Sequence, residues 1–377
     1  MPPKDDMSQS PLHLGVSLSA VGALGPALNS NRANPARVGN GFQTQSIEDV
    51  ALFAQMGVTD LRLGFDWSRL QPRPGSLDGS WAEWYGDIIS AAHQHGVRLW
   101  ATLLERSVPQ WFDDEGGFND AKTAGRFWPR FVETMAETFG DQLDGWFPID
   151  DPLGFTDQYA RDAGRQHGEL LHTMVEAWRD SWRILRGGPP VAGSFTIGHI
   201  TPLNESPDAA DEARRRDHLV WRTFLRGLRD GTVVIPGRGD RELADLAGAI
   251  DIVGIRIRTD LGSDQNLDDD SLRRWNERTQ MFLHRVVNEG PNLPISVTYR
   301  PLRPSWSDAE RDGEVITETF GRAIQACRDD GLPISNAFFE PGISYSQDKR
   351  LDAFVNWDRQ ITLSGAAWLA LGNSTVD

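Results

Sequence analysis

Trp146-Phe147-Pro148-Ile149-Asp150-Asp151-Pro152 reads as a short buried strand that ends in two adjacent carboxylates and a proline. An unbroken apolar run suits a strand covered on both faces. A strand that delivers acids at its C-terminal end is how an eight-stranded α/β barrel presents working groups. The same pattern recurs on either side of this stretch.

Working outward, short β-rich runs alternate with longer amphipathic ones. Strands are expected at Leu12–Leu18, Asp60–Phe65, Val97–Leu104, Leu143–Ile149, Pro190–Ile197, Ile250–Ile257, Pro294–Thr298 and Pro333–Phe339. Helices are expected near Ser46–Met56, Trp81–His95, Ala121–Phe139, Gly164–Arg186, Asp208–Asp230, Asp269–Asn288, Glu310–Asp329 and Ile361–Leu371. Such alternation signals parallel strands joined by crossover helices. Eight units that close on themselves make a (β/α)8 TIM barrel in one domain, over residues 12–377. A doubly wound open sheet would carry a glycine-rich phosphate loop after its first strand. Gly15, Gly22 and Gly25 do not make that spacing.

The 377 residues carry a net charge of -16, which argues against a nucleic-acid partner and against anionic membranes. Residues 1–11 are polar and acidic, without an apolar leader core, and are expected to form a disordered tail. The lone cysteine, Cys327, excludes a disulfide framework or a cysteine-based zinc site within one chain. These features point to the cytoplasm. No His-x-x-x-His pattern appears, and no metal or cofactor is expected. The expected partner is a small-molecule substrate, with the oligomeric state left open.

In a barrel, the C-terminal strand ends share one rim. Collected there are Asp66, Glu105, Arg106, Asp150, Asp151, His199, Arg256, Arg258, Tyr299, Arg300 and Glu340, with Arg62 inside the second strand. Two readings are open. The arginines could neutralise the acids in a structural network, since buried charges must be paired. Alternatively, some carboxyls are tuned acid–base groups and the arginines bind a polar ligand. On the second reading, Asp151, Asp150, Glu340 and Tyr299 are the catalytic candidates. Arg62, Glu105, Arg106, His199, Arg256, Arg258 and Arg300 are then the candidates for substrate binding.

These residues carry a resemblance to glycoside hydrolase family 1, the β-glucosidase type of barrel. Asp49–Gly57 with Leu61-Arg62 and Trp67-Ser68-Arg69 resembles that family's second unit. Trp146–Pro152 stands where the family has Thr-Phe-Asn-Glu-Pro, and Pro294–Arg300 where it has Ile-Thr-Glu-Asn-Gly. Thr201-Pro202, Asp251–Gly254, Lys349-Arg350, Asp358 and Trp368 also fit.

The resemblance implies the scaffold with its chemistry replaced. Asp151 takes the acid/base glutamate position, Asp150 the neighbouring asparagine, and Tyr299 the nucleophilic glutamate. Gly22 falls at a sugar-binding glutamine, Glu105-Arg106 replace a His-Trp pair, and Arg258 lies near a supporting tyrosine. Only Arg62 matches among the pocket groups. Retaining hydrolysis needs a carboxylate nucleophile about 5–5.5 Å from the acid, so Tyr299 speaks against an ordinary β-glycosidase. The expected function is a repurposed acid–base enzyme acting on a glycoside or small polar metabolite by non-retaining hydrolysis, cyclisation, dehydration or isomerisation. The alternative is a non-catalytic, glycosidase-like binding protein.

Overall fold

The computed structural model describes residues 11–163, 167–198, 200, 202–235, 239–257, 268–300, 309–345 and 353–373. Most of the expected disordered tail, together with His199, Thr201, Arg258, Lys349 and Arg350, lies outside these residues.

Eight strands form the barrel: β1 (His13–Leu18), β2 (Asp60–Gly64), β3 (Arg98–Leu104), β4 (Gly145–Ile149), β5 (Phe195–Ile197), β6 (Val253–Ile257), β7 (Ile295–Tyr299) and β8 (Ile334–Phe339). All pair in parallel, in the order β4-β3-β2-β1-β8-β7-β6-β5. A parallel bridge between Trp146 and Val191 joins β4 to the segment leading into β5 and closes the ring.

That last seam is thin, and the sequence supplies a reason. Trp146 N–H donates to Pro190 and Trp146 C=O accepts from Ala192. The next donor two residues along would be residue 148, which is proline and has no N–H. The two chains meet again where Asp151 N–H donates to Ser194 C=O at 2.8 Å.

The barrel interior is layered. At its N-terminal end, Asp60 accepts from Trp100 Nε1 at 2.7 Å, from Arg98 at 3.0 Å and from Asn336 at 3.3 Å. Above it, Trp100, Phe147, Ala192 and Phe338 form a compact apolar plug. Glycine makes room for the large rings: a Cβ on Gly145 would lie 2.0 Å from the Trp100 ring, and one on Gly15 2.6 Å from Phe338. The third layer, at the C-terminal mouth, is ionic.

The helices pack outside through the larger apolar core. Trp67, Trp128, Trp146, Trp178, Trp221 and Trp368 are fully buried there, so packing accounts for these tryptophans. Aspartates set several helix starts. Asp78 caps Gly79–Gln94 and Asp120 caps Ala121–Phe139. Asp268 caps Asp269–Glu289 by accepting from Ser271 N–H.

The expected helix Gly164–Arg186 is found as one helix with an unexpected one before it, and the expected helix Asp208–Asp230 is divided. The fourth crossover is Pro152–Ala163 followed by His167–Leu185. The fifth is Pro207–Arg222 followed by Leu225–Asp230, which stops at Gly231 with φ 81. After it comes an antiparallel hairpin, Thr232–Ile235 with Gly239–Glu242, that helical periodicity did not anticipate. Its Val233-Val234-Ile235 run is β-branched, which favours extended chain. No helix among the described residues is long and apolar enough to cross a membrane.

Candidate active site

Among the described residues, two arginines organise the mouth. Arg62 rises from β2 inside the barrel and is almost wholly buried. Its Nε donates to Thr102 Oγ1 at 2.9 Å, one terminal nitrogen to Ser194 Oγ at 3.2 Å, and the other to Asp150 Oδ1 at 2.5 Å. The guanidinium lies 4.0 Å above the Phe147 ring, so the apolar plug is also its floor. Arg256, from β6, donates to both oxygens of Asp150 at 3.1 and 3.3 Å and to Glu340 Oε2 at 2.6 Å. Ser194 Oγ adds a bond to Asp150 Oδ1 at 2.6 Å.

Burial alone would push Asp150 upward. The Arg256 and Arg62 guanidiniums overcome it and hold the Asp150 carboxyl well below the usual carboxylate range. Asp150 is therefore a fixed anion.

Its neighbour in sequence differs. Asp151 has a left-handed backbone, φ 46, and opens the helix Pro152–Ala163. Its Oδ1 accepts from Gly154 N–H at 3.2 Å, and its carbonyl accepts from Phe155 N–H at 2.7 Å. A Cβ on Gly154 would sit 2.1 Å from Asp151 Oδ2, so the carboxyl lies flat on the first helical turn. This is helix-capping geometry, with proline at the position that needs no N–H. Burial and the Asp150 charge push the Asp151 carboxyl up, against the pull of Arg256.

Glu105, at the end of β3, is half-buried and accepts from Ala20 N–H at 2.8 Å. Burial, then the Asp150 charge, pushes its carboxyl up to about 8. Glu340 lies between strand and loop, buried, its N–H bonded to Tyr299 C=O at 2.8 Å.

Tyr299 does not join this group. Its ring stacks on Phe320 at 4.5 Å and on Trp368 at 5.7 Å, and its hydroxyl meets Thr317 Oγ1 at 3.1 Å. These partners belong to the outer helices, so Tyr299 faces the helix layer, on the side opposite the mouth. Its neighbours Thr298 and Arg300 take the other phase of the strand; Arg300 is exposed. Arg106 is also exposed, and its carbonyl accepts from Arg32. Asp66 caps the short helix Trp67–Leu70 and pairs with Arg69, which makes it a local structural acid.

Three residues that sequence reasoning passed over take part. Ser194 belongs to the inward row of the strand-five segment, and the two-residue period could have found it. Ser19 and Tyr345 meet at 3.3 Å across the mouth's edge. A Cβ on Gly22 would fall 1.9 Å from Tyr345 Cε1, so the tyrosine ring fills the space that the glycine leaves open. No sequence pattern joins these two distant loops. Among the described residues, no group of three or more His, Cys, Asp or Glu is placed to hold a metal.

The all-parallel eight-stranded ring makes this a (β/α)8 barrel, the fold of known β-glycosidases. The β-glycosidase from Pyrococcus horikoshii superposes with a TM-score of 0.79 at 16% identity, covering 97% of this chain and 94% of that one. The family 1 β-glucosidase from Thermotoga maritima superposes at 0.75 and 14% identity, covering 98% of both. The model of glycosyl hydrolase family 1 matches residues 26–163. The chain is 28% identical to coniferin β-glucosidase of Pinus contorta over 256 residues, 57% of this chain and 50% of that protein. It is 24% identical to a cytosolic β-glucosidase of Cavia porcellus over 188 residues, 46% of this chain and 40% of that protein. These matches span half or less of those relatives' length. The chain is thus similar to glycosyl hydrolase family 1 in fold and over part of its sequence, in line with the resemblance its residues carry.

Proposed function

We propose that this barrel is an acid–base enzyme that works at its C-terminal mouth on a glycoside or another small polar metabolite, without a covalent glycosyl–enzyme step. The observation that carries this reading is the division among the mouth's carboxyls. Asp150 is held ionised by Arg62 and Arg256, while burial keeps Glu105 and Asp151 raised. Neighbouring carboxyls with separated pKa values let one give a proton while another stays negative.

The outward placement of Tyr299 supports water as the attacking group, because a phenol among Phe320, Thr317 and Trp368 has no path to a substrate in the mouth. Glu340, held by Arg256 among the described residues, is the carboxylate best suited to orient that water. Non-retaining hydrolysis follows, and cyclisation, dehydration or isomerisation would use the same proton traffic. A cytoplasmic setting is in keeping with the cytosolic relative.

The test is a panel of phenyl and nitrophenyl glycosides with product configuration followed by NMR. Net inversion, or a non-hydrolytic product, is expected. Retention with a trapped glycosyl–enzyme would overturn the reading. One observation favours a second reading: the chain Arg62–Asp150–Arg256–Glu340 satisfies its charges internally. A non-catalytic binding barrel would then bind sugars in calorimetry and turn over none of them.

A further inference from the structure

We propose that Glu105 is the proton donor of this mouth. The proposal rests on the acid–base reading above and assigns the donor to a position that the family likeness did not select. Asp151 stands where the likeness puts the acid, yet its carboxyl is laid on a helix N-terminus. There the Gly154 N–H and the nearby Arg256 charge favour its negative form, against the burial that raises it.

Glu105 also meets a helix N-terminal N–H, that of Ala20, but differs in what lies around the rest of its carboxyl. Its Oε2 takes one hydrogen bond, from Ala20 N–H. Its Oε1 rests over the bare Cα of Gly64, where a Cβ would lie 2.8 Å away. The glycine lets the carboxyl lie across the end of β2 toward the mouth. The charged and titratable groups that act on it come from several elements. Asp150 at the end of β4 and Glu340 at the end of β8 disfavour its ionisation, and Arg62 on β2 favours it. Among the described residues, the two arginines of the mouth already bind carboxylates: Arg62 binds Asp150, and Arg256 binds Asp150 and Glu340. No ion pair to Glu105 occurs among the described residues. A carboxyl with two anionic neighbours and no cation of its own keeps its proton near neutral pH. Its raised value of about 8 agrees with that placement.

In the step, the Glu105 proton passes to the departing oxygen as the carbon–oxygen bond breaks, and the bonding electron pair goes to that oxygen. Water held by Glu340 adds to the carbon from the opposite face and gives Glu340 its proton, and exchange with solvent returns Glu340 to its anion and Glu105 to its acid. The net change is hydrolysis, with no other reagent.

The experiment compares wild type, E105Q, E105D and D151N on glycosides with good and poor leaving groups, across pH. A donor matters for a phenyl leaving group and little for dinitrophenyl, which departs without a proton. Expected for E105Q is a loss of about 100-fold or more on phenyl glycosides, a change of a few fold on dinitrophenyl glycosides, and loss of the alkaline limb of kcat/KM. E105D, which keeps a carboxyl, should retain that limb at a reduced rate; this guards against a fault in E105Q folding. Equal losses on both leaving groups, or an unchanged alkaline limb in E105Q, overturn the assignment. If D151N shows the leaving-group pattern instead, the donor is Asp151 and the acid–base reading stands. If wild type turns over none of the glycosides, the hydrolytic reading and this assignment fall together.

Discussion

Arg256 reaches Glu340 at 2.6 Å across the intervening strand β7, and its same nitrogen touches Asp150. One guanidinium therefore ties β4, β6 and β8 at the mouth. Removing it leaves two carboxylates of the mouth facing each other, with Arg62 the remaining arginine partner among the described residues. Breaking a buried ion pair in this way costs about 3–5 kcal/mol. R256A should lose that much in urea unfolding at pH 7 and recover part of it under acid conditions, where the carboxyls protonate. A loss under about 1 kcal/mol would mean that the mouth relaxes to readmit water.

Glu105 gives the fold a pH dependence of definite sign. Its folded-state carboxyl is raised from 4.5 to about 8, so the folded chain holds this proton more tightly than the unfolded chain. The associated stability is complete below the ordinary value and is lost as pH climbs through the raised one. Between those limits, wild type should lose up to about 1.4 kcal/mol per pH unit relative to E105Q. Parallel stability curves for the two proteins would show that Glu105 titrates normally.

Gly22 and Tyr345 should be coupled. G22A puts a methyl group into the tyrosine ring and is expected to cost roughly 1–3 kcal/mol. Shrinking the ring in the double variant G22A/Y345A should return more than about 0.5 kcal/mol of non-additive energy. Additive losses in a double-mutant cycle would separate the two residues.

The capping role of Asp151 also has a stability signature. D151A removes the acceptor for Gly154 N–H and should cost about 0.5–2 kcal/mol. D151N keeps an acceptor and tolerates the left-handed backbone, so its melting temperature should stay within a few degrees of wild type. Equal destabilisation by both substitutions would deny the cap.

Tyr299 makes its contribution to packing. Y299F keeps the stacking on Phe320 and Trp368 and loses the hydroxyl contact with Thr317. A stability loss of about 0.5–1.5 kcal/mol with turnover unchanged is expected. A large fall in rate at full stability would return Tyr299 to the chemistry.

The chain of particulars shows what was legible in one dimension. Trp146–Pro152 announced a buried strand with acids at its end, and the regular spacing of similar runs announced the barrel. The inward course of Arg62 was also readable, and so was the pairing of rim arginines with rim acids as a class. The hairpin after Asp230 was not, because its β-branched run followed a helical pattern without a break in polarity.

The partners within the mouth were decided only in three dimensions. Asp150 and Arg256 stand 106 residues apart, and their contact depends on how the strands are staggered around the ring. Tyr299 was misplaced by strand phase, and the backbone turn at Asp151 is likewise of a kind that sequence does not display. In a strand with a period of two, a single step in phase moves a side chain from the mouth to the helix layer. A left-handed residue before a proline lays the Asp151 carboxyl on the first turn of its own helix, still within reach of the Arg256 charge. Sequence fixes which groups arrive at the rim, because strand length and helix spacing are local properties. Which of them face one another depends on register, phase and backbone sign, which are settled only when the ring closes.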